Sequence, residues 1–267
     1  MDQFRGGAMK FLPRILLIAA FAMTACATPP PAAAEDAKVS KTQAVSKEEE
    51  EAVSALAKMG VPLHRDPAGI VRWIEAKKGE LTDEAMALLP ALSRLEWLEI
   101  GGGKVSAAGA AHLKGCPELR RLYIYDINLA GDKLQWLASL TRLEALSLQR
   151  TGVDASIMAN IKAPGLVVLN LSGNPVGDDV LEAAARIKEL EVLALADTKV
   201  TGPGLEKLRG MRRLNELNLM RCQIYDKDID VFLSMPNLRI VYAEGCPLSA
   251  FGIQNVIVRF PTLAIFL

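Results

Sequence analysis

Along most of the chain, leucine-type residues recur in a fixed frame, L-x-x-L-x-L, that returns every 23 to 25 positions. The frame reads Leu119/Leu122/Ile124, Leu143/Leu146/Leu148, Leu166/Leu169/Leu171, Leu190/Leu193/Leu195 and Leu214/Leu217/Leu219. Counted from the first residue of each unit, the starts are Val71, Leu95, Leu119, Leu143, Leu166, Leu190, Leu214, Leu238 and Leu263, with gaps of 24, 24, 24, 23, 24, 24, 24 and 25. Within the frame the apolar positions alternate with period two, as on a strand that buries one face. Ten residues from each start another apolar residue follows: Leu81, Val105, Leu129, Val153, Val176, Val200, Ile224 and Leu248. Later in the unit, pairs such as Met86 with Leu89, Leu134 with Leu137, Leu205 with Leu208 and Ile229 with Phe232 stand three apart, the spacing of a helix or tight helical turn. A unit this short cannot bury its own apolar face, so successive units must stack into a solenoid.

The strand, loop and helical return, together with segments such as VPLHRDPAG, GELTDEAMALLPAL, TGVDASIM and TKVTGPGLEKLRG, resemble the leucine-rich repeats of roughly 24 residues found in bacterial proteins. The resemblance covers about residues 71–267. It implies an α/β fold: a right-handed horseshoe with a parallel β-sheet on the concave face and short helices on the convex face. It also implies recognition of a protein or a glycan. The chain departs from such repeats at the loop position, often Asn, which here is Gly79, Gly103, Ile127, Thr151, Asn174, Thr198, Cys222 and Cys246.

Polar residues punctuate the frame. Thr82, Asp83, Ser106, Asp154, Asp178, Thr201, Asp226 and Ser249 fall where a helical return begins, and their oxygens suit the first unpaired N–H groups of a helix. Pro117, Pro164, Pro236 and Pro261 end the return before the next strand. Cys222 and Cys246 hold the same loop position in successive units, but neighbouring rungs keep Cβ atoms nearer about 5 Å than the roughly 3.8 Å of a disulfide. Free thiols are expected there.

The N-terminus carries a different signal. Residues 10–26 read KFLPRILLIAAFAMTAC: basic residues, an apolar run from Ile15 to Met23, then small residues before Cys26. The run is short for a membrane span and reads as a signal peptide over 1–25, with Met1 or Met9 as the start. Met23-Thr24-Ala25-Cys26 resembles the bacterial lipobox, which implies cleavage before Cys26 and lipidation of its sulfur; the alternative is cleavage after Ala27 and secretion. Residues 26–47 are rich in Pro, Ala and charge and suit a tether. The expected address is the cell envelope, with a lipid anchor at the outer membrane. Residues 48–70 are expected to form an N-terminal cap, with Ala52, Leu56 and Met59 on one helical face.

Composition narrows the function. Of 267 residues, 51% are hydrophobic and 23% charged, which excludes a disordered chain. Removing 1–25 takes away Arg5, Lys10, Arg14 and Asp2, leaving 28 basic and 30 acidic residues. No basic stripe is present, so nucleic acid is not an expected partner. His64 and His112 have no nucleophile placed by the repeat, and Asp226-Lys227-Asp228-Ile229-Asp230 lacks the glycine and distal glutamate of a calcium loop. Neither catalysis, nor a cofactor, nor a metal is expected.

Binding at the concave face is. The outward strand positions gather Trp73, Glu75, Trp97, Glu99, Arg121 and Tyr123, with Tyr125 and Gln149 two residues further on. Clustered Trp, Tyr and Arg bury large areas with few rotors and make natural anchors. They also favour strands for structural reasons, and Trp73 and Trp97 could simply pack together. The carboxylates of Glu75 and Glu99 could orient a partner or pair with Arg121. A protein partner is expected, with cell-wall glycan as the alternative. The last strand, Thr262–Leu267, presents an apolar edge; it is expected to serve as the lid of the solenoid itself, with edge-to-edge homodimerisation as the alternative.

Overall fold

The computed structural model describes residues 45–267. The signal segment, Cys26 and the tether up to residue 44 lie outside the described residues. Ten strands form one sheet in sequence order: β1 (Leu63–Arg65), β2 (Val71–Ala76), β3 (Trp97–Gly101), β4 (Arg121–Tyr125), β5 (Ala145–Gln149), β6 (Val168–Asn170), β7 (Val192–Ala194), β8 (Glu216–Asn218), β9 (Ile240–Tyr242) and β10 (Ala264–Phe266). From β2 to β10 every pairing is parallel and in register with the repeat, for instance Trp73 beside Trp97 and Leu98 beside Leu122. β1 alone runs antiparallel, pairing Leu63 with Ile74 and His64 with Trp73.

The helical returns are α1 (Lys47–Lys58), α2 (Asp83–Met86), α3 (Ala107–Ala110), α4 (Asp179–Ala184), α5 (Gly202–Leu205) and α6 (Ala250–Arg259). Several others are 3-10 turns, including Gln135–Ser139, Ala155–Asn160 and Asp226–Ser234. A 3-10 turn climbs about 2.0 Å per residue against 1.5 Å in an α-helix, so it spans the convex side with fewer residues. That suits a coil that must return to its start within 24 residues.

The core is one continuous column. The strand leucines and isoleucines of the frame from Leu119 to Leu219 are 1% exposed or less, as are Leu81, Leu129, Val153, Val176, Val200 and Ile224. At the first coil, Ser46 caps α1 by accepting from the Glu49 N–H (3.1 Å), and the helix buries Ala52, Val53 and Leu56. Met59 does not join that face; it is 43% exposed, because α1 ends at Lys58 and Met59 turns outward before Gly60. Glu49, 4% exposed, accepts from the Ser93 hydroxyl at 3.2 Å.

Two polar devices tie coil to coil. Asp83, Asp178 and Asp226 do not cap their own helices; each accepts from the backbone N–H and the hydroxyl of the next coil's Ser106, Thr201 or Ser249. The glycine three residues on makes the room, since a Cβ on Gly109, Gly204 or Gly252 would sit 1.9, 2.1 or 2.3 Å from the aspartate. At the other end of the strands, the residue seven from each start between Leu95 and Leu238 takes the left-handed conformation: Gly102, Asp126, Arg150, Gly173, Asp197, Arg221 and Gly245. Four of these are not glycine, a choice that costs about 1 kcal/mol each. Bidentate Arg150–Asp126 and Arg221–Asp197 pairs offset part of it and hold both aspartates below the usual carboxylate range. Each arginine lies across the next coil's glycine, where a Cβ would meet its Cγ at 2.4 or 2.8 Å.

The loop ladder is a third tie. Asn174, 2% exposed, accepts from the Thr151 and Val153 N–H groups (3.1 and 3.2 Å) and donates to Leu148 and Leu171 carbonyls (2.6 and 2.8 Å). At the same position the Thr198 hydroxyl donates to the Leu195 carbonyl and the Cys246 thiol to the Leu219 carbonyl. Cys116, Cys222 and Cys246 are free thiols, and burial pushes Cys116 up to about 12.

Candidate concave binding face

The parallel register sets the outward side chains in rows that run across the strands. One row reads Trp73, Trp97, Arg121, Ala145, Val168, Val192, Glu216 and Ile240; the next reads Glu75, Glu99, Tyr123, Ser147, Asn170, Ala194, Asn218 and Tyr242. Tyr125 and Gln149 sit side by side in a third row. All eight residues expected at the site therefore share one face over β2 to β5.

Trp73 and Trp97 are neighbours across β2 and β3, and each has a further ring partner. Trp73 stacks on His64 of β1, with ring centroids 5.2 Å apart and planes at 4°. Trp97 meets Tyr123 edge-on at 6.3 Å and 81°. This internal packing leaves Trp97 only 3% and Tyr123 only 7% exposed, while Trp73, Arg121, Tyr125 and Gln149 are half-buried.

The two glutamates take a different cation from the one the sequence suggested. Lys77 Nζ lies 3.5 Å from Glu75 and 3.4 Å from Glu99, and the Tyr125 hydroxyl donates to Glu99 Oε1 at 3.2 Å. Arg121 is two strands away from Glu75, whereas Lys77 follows Glu75 by two residues on the same side of the sheet and reaches both carboxylates. Burial raises the Glu99 carboxyl, against the pull of Lys77 and Tyr125. For Lys77 the balance reverses: burial lowers it, and the two carboxylates outweigh that and raise it. Tyr125 lies flat over Gly101, where any Cβ would fall 2.2 Å from its ring, so the glycine makes this network possible.

Two donors on this face remain without acceptors among the described residues. The indole N–H groups of Trp73 and Trp97 are buried with no partner. The half-buried Arg121 guanidinium beside them forms no ion pair with a carboxylate among the described residues, and its charge acts on the Tyr123 phenol. Arg121 lies between Trp97 and Ala145, beside the small Ser147, so its surroundings step down on one side. Buried polar groups are nearly always satisfied, and a cluster that is not marks a place where something else supplies the bond.

The acidic run at Asp226–Asp230 is fully employed elsewhere. Asp226 holds Ser249, Asp228 accepts from the Tyr225 N–H, and Asp230 pairs with Arg259, while Ile229 is 1% exposed in the core. β10, the strand considered for self-pairing, has no strand on its outer side among the described residues and leaves Phe266 51% and Leu267 58% exposed.

A family model for the Leucine Rich repeat matches residues 164–183, the unit that contains Asn174. Internalin C2 of Listeria monocytogenes is similar in structure, with a TM-score of 0.53 at 18% identity over 83% of this chain and 91% of that one. The fold is a leucine-rich repeat solenoid. A leucine-rich repeat protein of Leptospira interrogans superposes with a TM-score of 0.50 at 19% identity, over 68% of this chain and 51% of that one, so the chain spans about half its length. No curated protein sequence matches this one. At these identities the likeness concerns the solenoid, and the side chains on the concave face must be argued on their own.

Proposed function

We propose that this leucine-rich repeat chain is a non-catalytic, lipid-anchored envelope protein that binds a protein partner through its concave face. The observation that carries the binding half is the pair of unsatisfied indole donors of Trp73 and Trp97, with the half-buried cation of Arg121 beside them on the sheet. They call for acceptors, such as carboxylates or backbone carbonyls, from outside. Rigid aromatic and arginine anchors lose little entropy on binding, which is why such residues dominate interface energetics. Cell-wall glycan is the weaker reading, because sugar rings need open aromatic faces, and here Trp97 is only 3% exposed while His64 covers one face of Trp73.

Arg121→Glu tests the face. The side chain is half-buried and joined to no carboxylate, so the fold should be unaffected, while a partner's acceptor would now meet a negative charge. Crosslinking in intact cells should recover the partner at least about 30-fold less efficiently, a loss of roughly 2 kcal/mol. Unchanged recovery would remove the patch from consideration. Trp97→Ala is a poorer probe, since a residue 3% exposed also holds the face together.

The anchor rests on the lipobox-like Met23-Thr24-Ala25-Cys26. Cells fed a labelled fatty acid should incorporate it into the wild-type chain and not into Cys26→Ala. Equal labelling of the two would leave secretion after Ala27 as the better account.

A further inference from the structure

A second unsatisfied group lies on the same face, four strands away from Arg121 and of opposite sense. Glu216 on β8 is 1% exposed, its Oε1 has no donor, and no cation stands within ion-pair distance among the described residues. The register makes it an outward residue, between Val192 on one side and Ile240 on the other, with core Leu217 pointing the opposite way. Every other strand residue in its row is apolar from Ala145 onward, so no packing rule asks for a carboxylate here. A hydrophobic residue of the same size would avoid the cost of burying an unpaired acid.

The row above it completes a cradle. Asn170, Ala194 and Asn218 are side by side on β6, β7 and β8, the two asparagines 6% and 3% exposed with the small alanine between them. Their orientation is fixed, because Asn170 Oδ1 accepts from the Ser172 N–H at 2.9 Å and Asn218 Oδ1 from the Met220 N–H at 3.1 Å. Each amide therefore presents its Nδ2 donors to the concave side. A carboxylate with one fixed amide two residues along its own strand and a second two strands away, the amides about two strand spacings or roughly 10 Å apart, matches a positive side chain whose own peptide carbonyls reach the amides.

We infer that the concave surface over β6 to β9 is a receptor for a cationic side chain, lysine or arginine, of a polypeptide partner, seated on Glu216 with its backbone carbonyls on Asn170 and Asn218. The inference rests on the protein-binding reading above and gives that partner a polarity. Acceptors meet Trp73, Trp97 and Arg121 at one end, and a cation meets Glu216 about 19 Å further along the sheet, at four strand spacings of about 4.8 Å.

The probe is N-acetyl-arginine amide, with N-acetyl-citrulline amide as its neutral isostere, titrated into the isotopically labelled full chain in detergent at pH 8. The arginine amide should shift the backbone resonances of Val192, Glu216, Asn218 and Ile240 saturably, the citrulline amide should need at least about ten-fold higher concentration, and Glu216→Gln should remove the difference. Equal responses to the two amides, silence of these resonances with both, or an undiminished preference in Glu216→Gln would overturn the inference. The two readings fail separately. If the protein-binding face is wrong, Arg121→Glu leaves partner recovery intact whatever the amides do; if this cradle is wrong, the amides lose their difference while Arg121→Glu still acts.

Discussion

Asn174→Ala should destabilise the folded chain by about 4 kcal/mol, more than the loss of a single surface ion pair could. The side chain is 2% exposed and works in both directions, accepting from Thr151 and Val153 and donating to Leu148 and Leu171. Truncation leaves two backbone N–H groups of the preceding loop without an acceptor and the Leu171 carbonyl without this donor, in a place water cannot reach. Each such orphan costs roughly 1–3 kcal/mol. The Leu148 carbonyl is spared, because the Thr151 hydroxyl also donates to it at 2.9 Å. Asn174→Thr supplies an internal control. Threonine occupies the equivalent place at Thr198, where it donates to its own strand-end carbonyl, so the substitution restores one bond of the set and should cost less than alanine. Urea unfolding of the three proteins checks the order. Equal stability of Asn174→Ala and wild type would mean that this ladder position carries no weight.

That residue also shows what the sequence does and does not disclose. The period of the frame, the inward leucines and the strand-then-return order follow from hydrophobic spacing alone, because burial of a stacked apolar face leaves no other register. The identity of the loop residue does not follow. Asn, Thr and Cys all donate to strand-end carbonyls there, Thr198 to its own strand's and Cys222 and Cys246 to the preceding coil's, so one mechanical need is met by several residue types. The family model matches residues 164–183, the unit in which this position is asparagine.

The cross-coil aspartates were readable in kind but not in target. Asp83, Asp178 and Asp226 sit at helix starts, where a carboxylate ordinarily caps its own helix. The signal that redirects them is the serine or threonine 23 residues on, followed three later by a glycine: Asp83/Ser106/Gly109, Asp178/Thr201/Gly204 and Asp226/Ser249/Gly252. The Asp–Arg pairs at the left-handed positions have a similar trace, since the residues seven from each start read Gly, Asp, Arg, Gly, Asp, Arg, Gly from 102 to 245. On the concave face, spacing correctly gathers Trp73, Glu75, Trp97, Glu99, Arg121, Tyr123, Tyr125 and Gln149. It does not reveal that Lys77 takes the glutamates, nor that Glu216 is left alone. Those outcomes depend on side-chain reach across strands, which alternation does not encode.

Glu216→Gln should stabilise the protein in alkaline solution and leave its stability in acid nearly unchanged. Burial raises the Glu216 carboxyl from 4.5 to about 7, with no cation nearby to oppose it; the other titratable group that senses it is Tyr242, whose phenol is itself raised by burial and by the Glu216 charge. Below pH 4.5 the folded and unfolded chains both hold the proton, and the buried acid costs nothing electrostatic. As pH rises from 4.5 to about 7 the unfolded chain releases it while the folded chain keeps it, so unfolding gains free energy and stability falls through this window. Above about 7 the full penalty is in place. A difference of about 2.5 units at 1.36 kcal/mol each sets an upper bound of about 3 kcal/mol. Glutamine has nearly the shape of the protonated acid and cannot ionise, so the pH-dependent part vanishes. For a domain of this size each kcal/mol moves the melting temperature by about 2–4 °C, giving a gain of up to about 6–12 °C at pH 8.5 and little at pH 4. A melting-temperature difference that is the same at both pH values would show that Glu216 titrates like an ordinary surface carboxylate. A native protein that carries such a penalty at neutral pH is least comfortable when this part of its concave face is empty, and a bound cation would return that free energy as affinity.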